Sequence, residues 1–239
     1  MQAFRYCKKA SINLNLSIRI EFQLTARCGA HPLFGNAMDS ADLLDLLKSR
    51  GAKYVYNNLL LDENVFILKQ LFPENYAEKY HQLKVATSDA LDVPVKNIAI
   101  VGSSKLGYSL TPDRNFDTIT PESDIDLIVV SKELFDSLWA SHLSYKNSIE
   151  QSRQYSYANV AKNVFRHFVS VSEDELDSSM LNHFKDWISR VGKLKRLLEQ
   201  QFKISTTLEY RVYESWAYVE QYHVTGLNAL LEHHNEGYR

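Results

Sequence analysis

Two short apolar runs constrain this chain of 239 residues more than anything else in it: Ile98 to Val101, closed by Gly102, and Ile125 to Val130, opened by Asp124. Each is only a few residues long, is rich in β-branched types and is bounded by polar residues, so each reads as a buried strand. Side chains alternate across a strand, which puts Asp124 and Asp126 on one face and turns Ile125, Leu127 and Val129 to the core. Pro94 forbids a helix from running into the first strand, and the residues from Glu133 to Trp139 start a helix behind the second. The expected order is strand, glycine turn, carboxylate-bearing strand, helix, which implies an α+β domain.

Adjacent carboxylates at the edge of a buried strand repel, and a hard divalent cation held by their oxygens offsets that repulsion. Asp124 and Asp126 are therefore candidate metal ligands, and Mg²⁺ is the ion they suit. Gly102 lets the backbone turn tightly and approach a ligand closely. The Ser103 hydroxyl and the amides beside it, with Ser104 and Lys105, are candidates to hold phosphate oxygens. A solvated loop position is the other reading of Lys105.

Together, Gly102-Ser103 and Asp124-Ile125-Asp126 resemble the glycine-serine and double-aspartate signature of the DNA polymerase beta nucleotidyltransferase superfamily. The motifs span about 40 residues, and the wider resemblance runs from 75 to 232. It implies a polymerase-beta-like fold, a small mixed sheet flanked by helices with additional helices. It also implies transfer of a nucleoside monophosphate from a nucleoside triphosphate to a hydroxyl, with release of pyrophosphate. The superfamily's acceptors include RNA ends, proteins and small molecules. The gap from Ser103 to Asp124 exceeds the family's usual dozen or so residues, leaving Tyr108 to Glu122 as an inserted loop, either a shaper of the acceptor site or a surface excursion. The family's third carboxylate has its best match in Glu209, on an expected strand from 204 to 213 where it shares a face with Arg211; an exposed Glu-Arg strand pair is the competing reading. Glu214 is a weaker alternative. Without a third acid the chain would be a nucleotide-binding regulatory protein or a partner in a defence pair, with little turnover.

Around this centre the pattern is mostly helical. Ser40 as N-cap and Gly51 as stop bracket a first helix, 53–72 holds one or two more before Pro73, and 75–91 has helical spacing. Ser172 with Glu175 matches a capping box. An apolar stripe from Leu181 through Trp187, Val191 and Leu194 to Phe202 marks a long amphipathic helix, and 214–232 returns to helix. Arg190, Lys193, Lys195, Arg196 and Lys203 form either a basic face for RNA phosphates or a solvated face, since Asp186 and Glu199 dilute them. Tyr218 and Tyr222 belong to an aromatic cluster that serves as core, as a base-stacking surface or as both. His223, His233 and His234 lack the cysteine or carboxylate spacing of a metal site.

Residues 1–37 carry five basic residues and one acid, against 22 and 28 in the remainder, and hold both cysteines, Cys7 and Cys28. That shift marks 1–37 as an extension and 38–239 as the nucleotidyltransferase domain, although Ile12 to Phe22 alternates like an edge strand. No apolar run reaches the ~18 residues of a membrane span. Asn13, Asn15 and Arg19 break the stretch that a secretory signal needs, so a cytoplasmic protein is expected.

Overall fold

The two apolar runs form strands β1 (Ile98–Val101) and β2 (Ile125–Val130) in a computed structural model that describes residues 38–120, 123–148, 157–171, 180–202, 204 and 206–236. The readings of 1–37 and of the capping box at Ser172 and Glu175 lie outside the described residues. β3 (Phe168–Ser170) and β4 (Leu208–Tyr213) complete a sheet of order β1-β2-β4-β3. β1 runs antiparallel to β2, β2 parallel to β4, and β3 antiparallel to β4, which makes the sheet mixed. With nine α-helices among the described residues, the architecture is α+β.

Both sheet faces are covered. Ile98, Ile100, Ile125, Leu127, Val129, Leu208, Tyr210 and Val212 build one core. It is closed by α3 (Phe66–Leu71), α4 (Tyr76–Leu91), α6 (Lys132–Lys146) and α8 (Lys185–Phe202). Ala99, Val101, Ile128, Val130, Phe168 and Tyr213 face the opposite way, onto α1 (Ser40–Arg50), α2 (Ala52–Val55) and α9 (Trp216–Glu236). The acid-bearing face of β2 is thus itself core beyond Asp126, and only its first turn of pleat opens outward.

Several boundaries differ from the sequence expectation for local reasons. The N-cap of α1 is Asp39, whose extended backbone lets its carboxylate accept from Asp42 N at 2.7 Å; Ser40 is already helical. Gly51 ends α1 at φ +84 as expected. The segment 53–72 breaks between a wide turn at Tyr56–Leu60 and α3, because the Asp62 carboxylate captures Asn64 N and Nδ2 at 2.9 and 2.7 Å. β4 starts at Leu208, four residues later than 204. Local pattern alone does not reveal α7 (Tyr157–Phe165) and β3, which is only three residues long and makes its ladder with a strand over 40 positions away.

Candidate functional site

The β1–β2 register pairs Val101 with Asp126, so the chain leaves β1 into Gly102 directly beside the second aspartate. Gly102 has φ +70, and a Cβ there would collide with Asp126 Oδ2. Only glycine permits this approach. The short helix α5 (Ser103–Leu106) follows, and Gly107 ends it at φ +93. The Ser104 hydroxyl donates to Asp124 O at 2.8 Å, tying the turn to the entry of β2.

Across the parallel ladder, Glu209 is the register partner of Asp126. Gly102, Ser103, Asp124, Asp126, Glu209 and Arg211 form the floor of an open cleft of about 1340 Å³. One wall is the loop after Gly107, through Ser109, Thr111 and Arg114; the other is the face of α9 bearing Tyr218, Tyr222, Gly226 and Ala229. Ser109 N bonds to Asp117 O, and Ile119 N to Gly107 O, so the loop closes on itself. The Phe116 ring stacks on His234 with centroids 5.0 Å apart, fastening the loop tip to α9. The described part of the insertion therefore lines the cleft.

Arg211 is the group on the acid pair. Its Nη2 lies 2.7 Å from Asp126 Oδ1, and the two side chains are 27% and 18% exposed. Burial pushes the Asp126 carboxyl upward; Arg211 pulls it back and the charge of Asp124 adds to the rise. The Arg211 guanidinium also lies 5.9 Å from the Tyr222 ring centroid. His223, beside Tyr222, is drawn down to about 4 by burial and then by the charge of Arg211, so it stands neutral.

Two of the expected phosphate-binding residues point elsewhere. Lys105 is buried on the core side of the turn, where Nζ bonds Asp62 Oδ1 at 2.6 Å and Asp62 O at 2.5 Å; it does not line the cleft and is no phosphate ligand in this arrangement. Neither is it a solvated loop lysine. Ser104 is fully buried and acts on the backbone of Asp124. Glu214 lies five positions past Glu209, roughly 16 Å along the strand direction. It bonds His167 Nδ1 at 2.7 Å and Lys132 Nζ at 3.4 Å, which removes it as the third carboxylate. The basic face of α8 is separated from the cleft by the sheet, and Arg190 is spent on Asp186 at 2.8 Å and on Leu91 O at 3.1 Å.

What sequence reasoning missed is Arg211 as the partner of Asp126; its signal was a cation two positions from Glu209 on the same face of an otherwise apolar strand. Among the described residues no three His, Cys, Asp or Glu side chains are gathered as a metal cluster. The oxygen donors present are of the kind that a hard cation takes: Asp126 is desolvated beside the like charge of Asp124, and both line the cleft with Glu209. No family model, curated protein or solved structure matches this chain.

Proposed function

We propose that the chain is a Mg²⁺-dependent nucleotidyltransferase with a polymerase-beta-like fold. The observation that carries this reading is the pairing of Val101 with Asp126, which brings the Gly102-Ser103 turn and the two aspartates to one end of one cleft. The Ser103 hydroxyl and the amides of the turn receive triphosphate oxygens. Asp124 and Asp126 would hold the cation, with Glu209 on the adjoining strand as the third carboxylate. Bound there, Mg²⁺ would offset the triphosphate charge and acidify an acceptor hydroxyl. The acceptor oxygen bonds to the α-phosphorus, the bond from that phosphorus to the oxygen of the β-phosphate breaks, and pyrophosphate leaves. Glu209 takes the hydroxyl proton. The loop wall and the α9 face leave room for an acceptor, RNA among the candidates.

One observation favours a second reading, a nucleotide-binding regulatory protein: a cation already satisfies Asp126. Incubation with each of four α-labelled nucleoside triphosphates, Mg²⁺ and a total RNA and protein extract separates the two. Label transferred by the native chain and not by the Asp124→Ala, Asp126→Ala variant supports the enzyme and identifies the acceptor class. Mg²⁺-dependent nucleotide binding without transfer supports the regulatory reading, and absence of both overturns each.

A further inference from the structure

The assignment of Asp126 as a metal ligand leaves Arg211 unexplained. A guanidinium bonded to a metal-binding carboxylate competes with the metal, because both need the same lone pairs. Oδ1 of Asp126 is taken by Arg211 at 2.7 Å, and Oδ2 is packed against Gly102. A cation that binds through Asp126 Oδ1 therefore has to displace Arg211. Yet the pair is not sealed in core: it lies on the cleft floor beside the turn proposed to receive the triphosphate.

We infer that Arg211 is an exchangeable counter-ion: it holds Asp126 while the site is empty of metal, then passes to the triphosphate when the metal enters, so that metal and nucleotide bind as one unit. This rests on the nucleotidyltransferase reading of the cleft and adds to it a substrate-touching cation from β4. Three features carry the exchange. A guanidinium binds phosphate oxygens as readily as carboxylate oxygens, by the same planar fork. The cleft gives the side chain somewhere to move, since Arg211 is already 27% exposed. The Tyr222 ring, 5.9 Å from the guanidinium, offers a face along which the cation stays stabilised as it leaves the carboxylate. The charge count also favours exchange over addition. Asp124, Asp126 and Glu209 with Arg211 carry a net charge of −2, against −3 for the carboxylates alone. When the arginine turns to the phosphates, the carboxylates act at full charge.

The consequence is a pair of opposite effects that a merely structural arginine would not produce. Mn²⁺, read by electron paramagnetic resonance as a stand-in for Mg²⁺, should bind the native chain weakly when alone and more tightly with a nucleoside triphosphate. Arg211→Gln should bind Mn²⁺ alone about tenfold more tightly, the scale on which a neighbouring opposite charge alters a carboxylate's affinity for cations. The same variant should lose about tenfold or more in affinity for the four nucleoside triphosphates in the presence of Mn²⁺, the cost of one charge-assisted phosphate contact. Arg211→Lys, which keeps a charge without the fork, should fall between. Thermal unfolding guards against a folding defect: Mn²⁺ should raise the melting temperature of Arg211→Gln more than that of the native chain, and should leave Arg211→Gln, Asp126→Asn unchanged. Unchanged or weaker binding of Mn²⁺ alone by Arg211→Gln overturns the exchange. If the native chain meanwhile binds nucleotide with Mn²⁺ in a manner lost in Asp126→Asn, the functional reading stands without it. Absence of Mn²⁺-dependent nucleotide binding in the native chain and in Arg211→Gln overturns both.

Discussion

The turn between Gly102 and Gly107 is flanked by two ion pairs of almost equal length. Lys105 Nζ meets Asp62 Oδ1 at 2.6 Å on the core side, and Arg211 Nη2 meets Asp126 Oδ1 at 2.7 Å on the cleft side. Their surroundings separate them. The Lys105 side chain has no exposed surface, and its ammonium is satisfied a second time by the backbone oxygen of Asp62. Burial lowers its pKa and the hydrogen bond to Asp62 raises it. Arg211 and Asp126 lie on an open floor beside a second carboxylate. The first pair fastens the turn to the segment before α3, and the second holds charge that a ligand can claim. Length alone does not distinguish a latch from a site; what surrounds the pair does.

The largest effect that would break this contrast lies at the latch. Asp62→Asn leaves the Lys105 ammonium buried and facing only neutral oxygens, and removal of one partner from a buried pair costs about 3 to 5 kcal/mol. Lys105→Met should cost less, because Asp62 is 26% exposed and can turn its carboxylate to water. Urea unfolding of the two variants measures the difference. Equal costs would show that the pair is less one-sided than its burial, and Mn²⁺ should stabilise both variants no more than it does the native chain.

Gly102→Ala tests the other side of the turn. Gly102 combines φ +70 with ψ −153, a region almost closed to residues bearing a Cβ, where the strain is roughly 1 to 3 kcal/mol. The new methyl also meets Asp126 Oδ2, so the carboxylate must move. The expected outcome is a loss of about 2 kcal/mol in urea unfolding together with loss of Mn²⁺-dependent nucleotide binding. Retained nucleotide binding would detach the turn from the acid pair.

The contrast also shows what the sequence made legible. The strand, the glycine turn and the acid-x-acid strand were readable because each is written in consecutive residues: period-2 alternation fixes the face of Asp124 and Asp126, and a glycine at the end of an apolar run marks the turn. The partnership of Gly102 with Asp126 follows from the ladder those strands form. Lys105 misled because its neighbours in sequence are loop-like, while its partner lies 43 positions earlier. Arg211 was visible as a neighbour of Glu209, but its contact with Asp126 needs the parallel pairing of β2 with β4, which no local pattern encodes. β3 went unread for the same reason. The inserted loop became a wall of the cleft only through the packing of Phe116 on His234, another long-range contact.

Burial takes a second basic group on a different course from Lys105: His142 in α6. It is 3% exposed, packs edge-on against Phe184, and burial draws its imidazole from the ordinary 6.5 down to about 4. The folded-state value is depressed, so the stability at issue is fully present above pH 6.5. As pH falls from 6.5 towards 4, the unfolded chain takes up a proton that the folded chain refuses. The loss should reach about 2 kcal/mol near pH ~5. His142→Phe keeps a ring in place and should remove that part of the acid sensitivity, read as the difference between native and variant unfolding at pH ~7 and pH ~5. An equal slope in both would mean that the imidazole is carried charged in the fold.

The smallest effect is expected where a pair matches the Arg211 contact in length and differs from it in exposure. Lys53 Nζ on α2 meets Glu220 Oε1 on α9 at 2.7 Å, with the two side chains 71% and 36% exposed. Water solvates both ends when the contact opens, and holding a long lysine in one rotamer costs entropy that offsets most of the attraction. Lys53→Ala should therefore change stability by less than about 1 kcal/mol, and by less still at high salt, where exposed charges are screened. A loss matching that of Asp62→Asn would mean that the distance between the charges, rather than their burial, sets the energy of all three pairs. A loss that vanishes with salt would place Lys53 at one end of a scale that has Lys105 at the other and Arg211 between them.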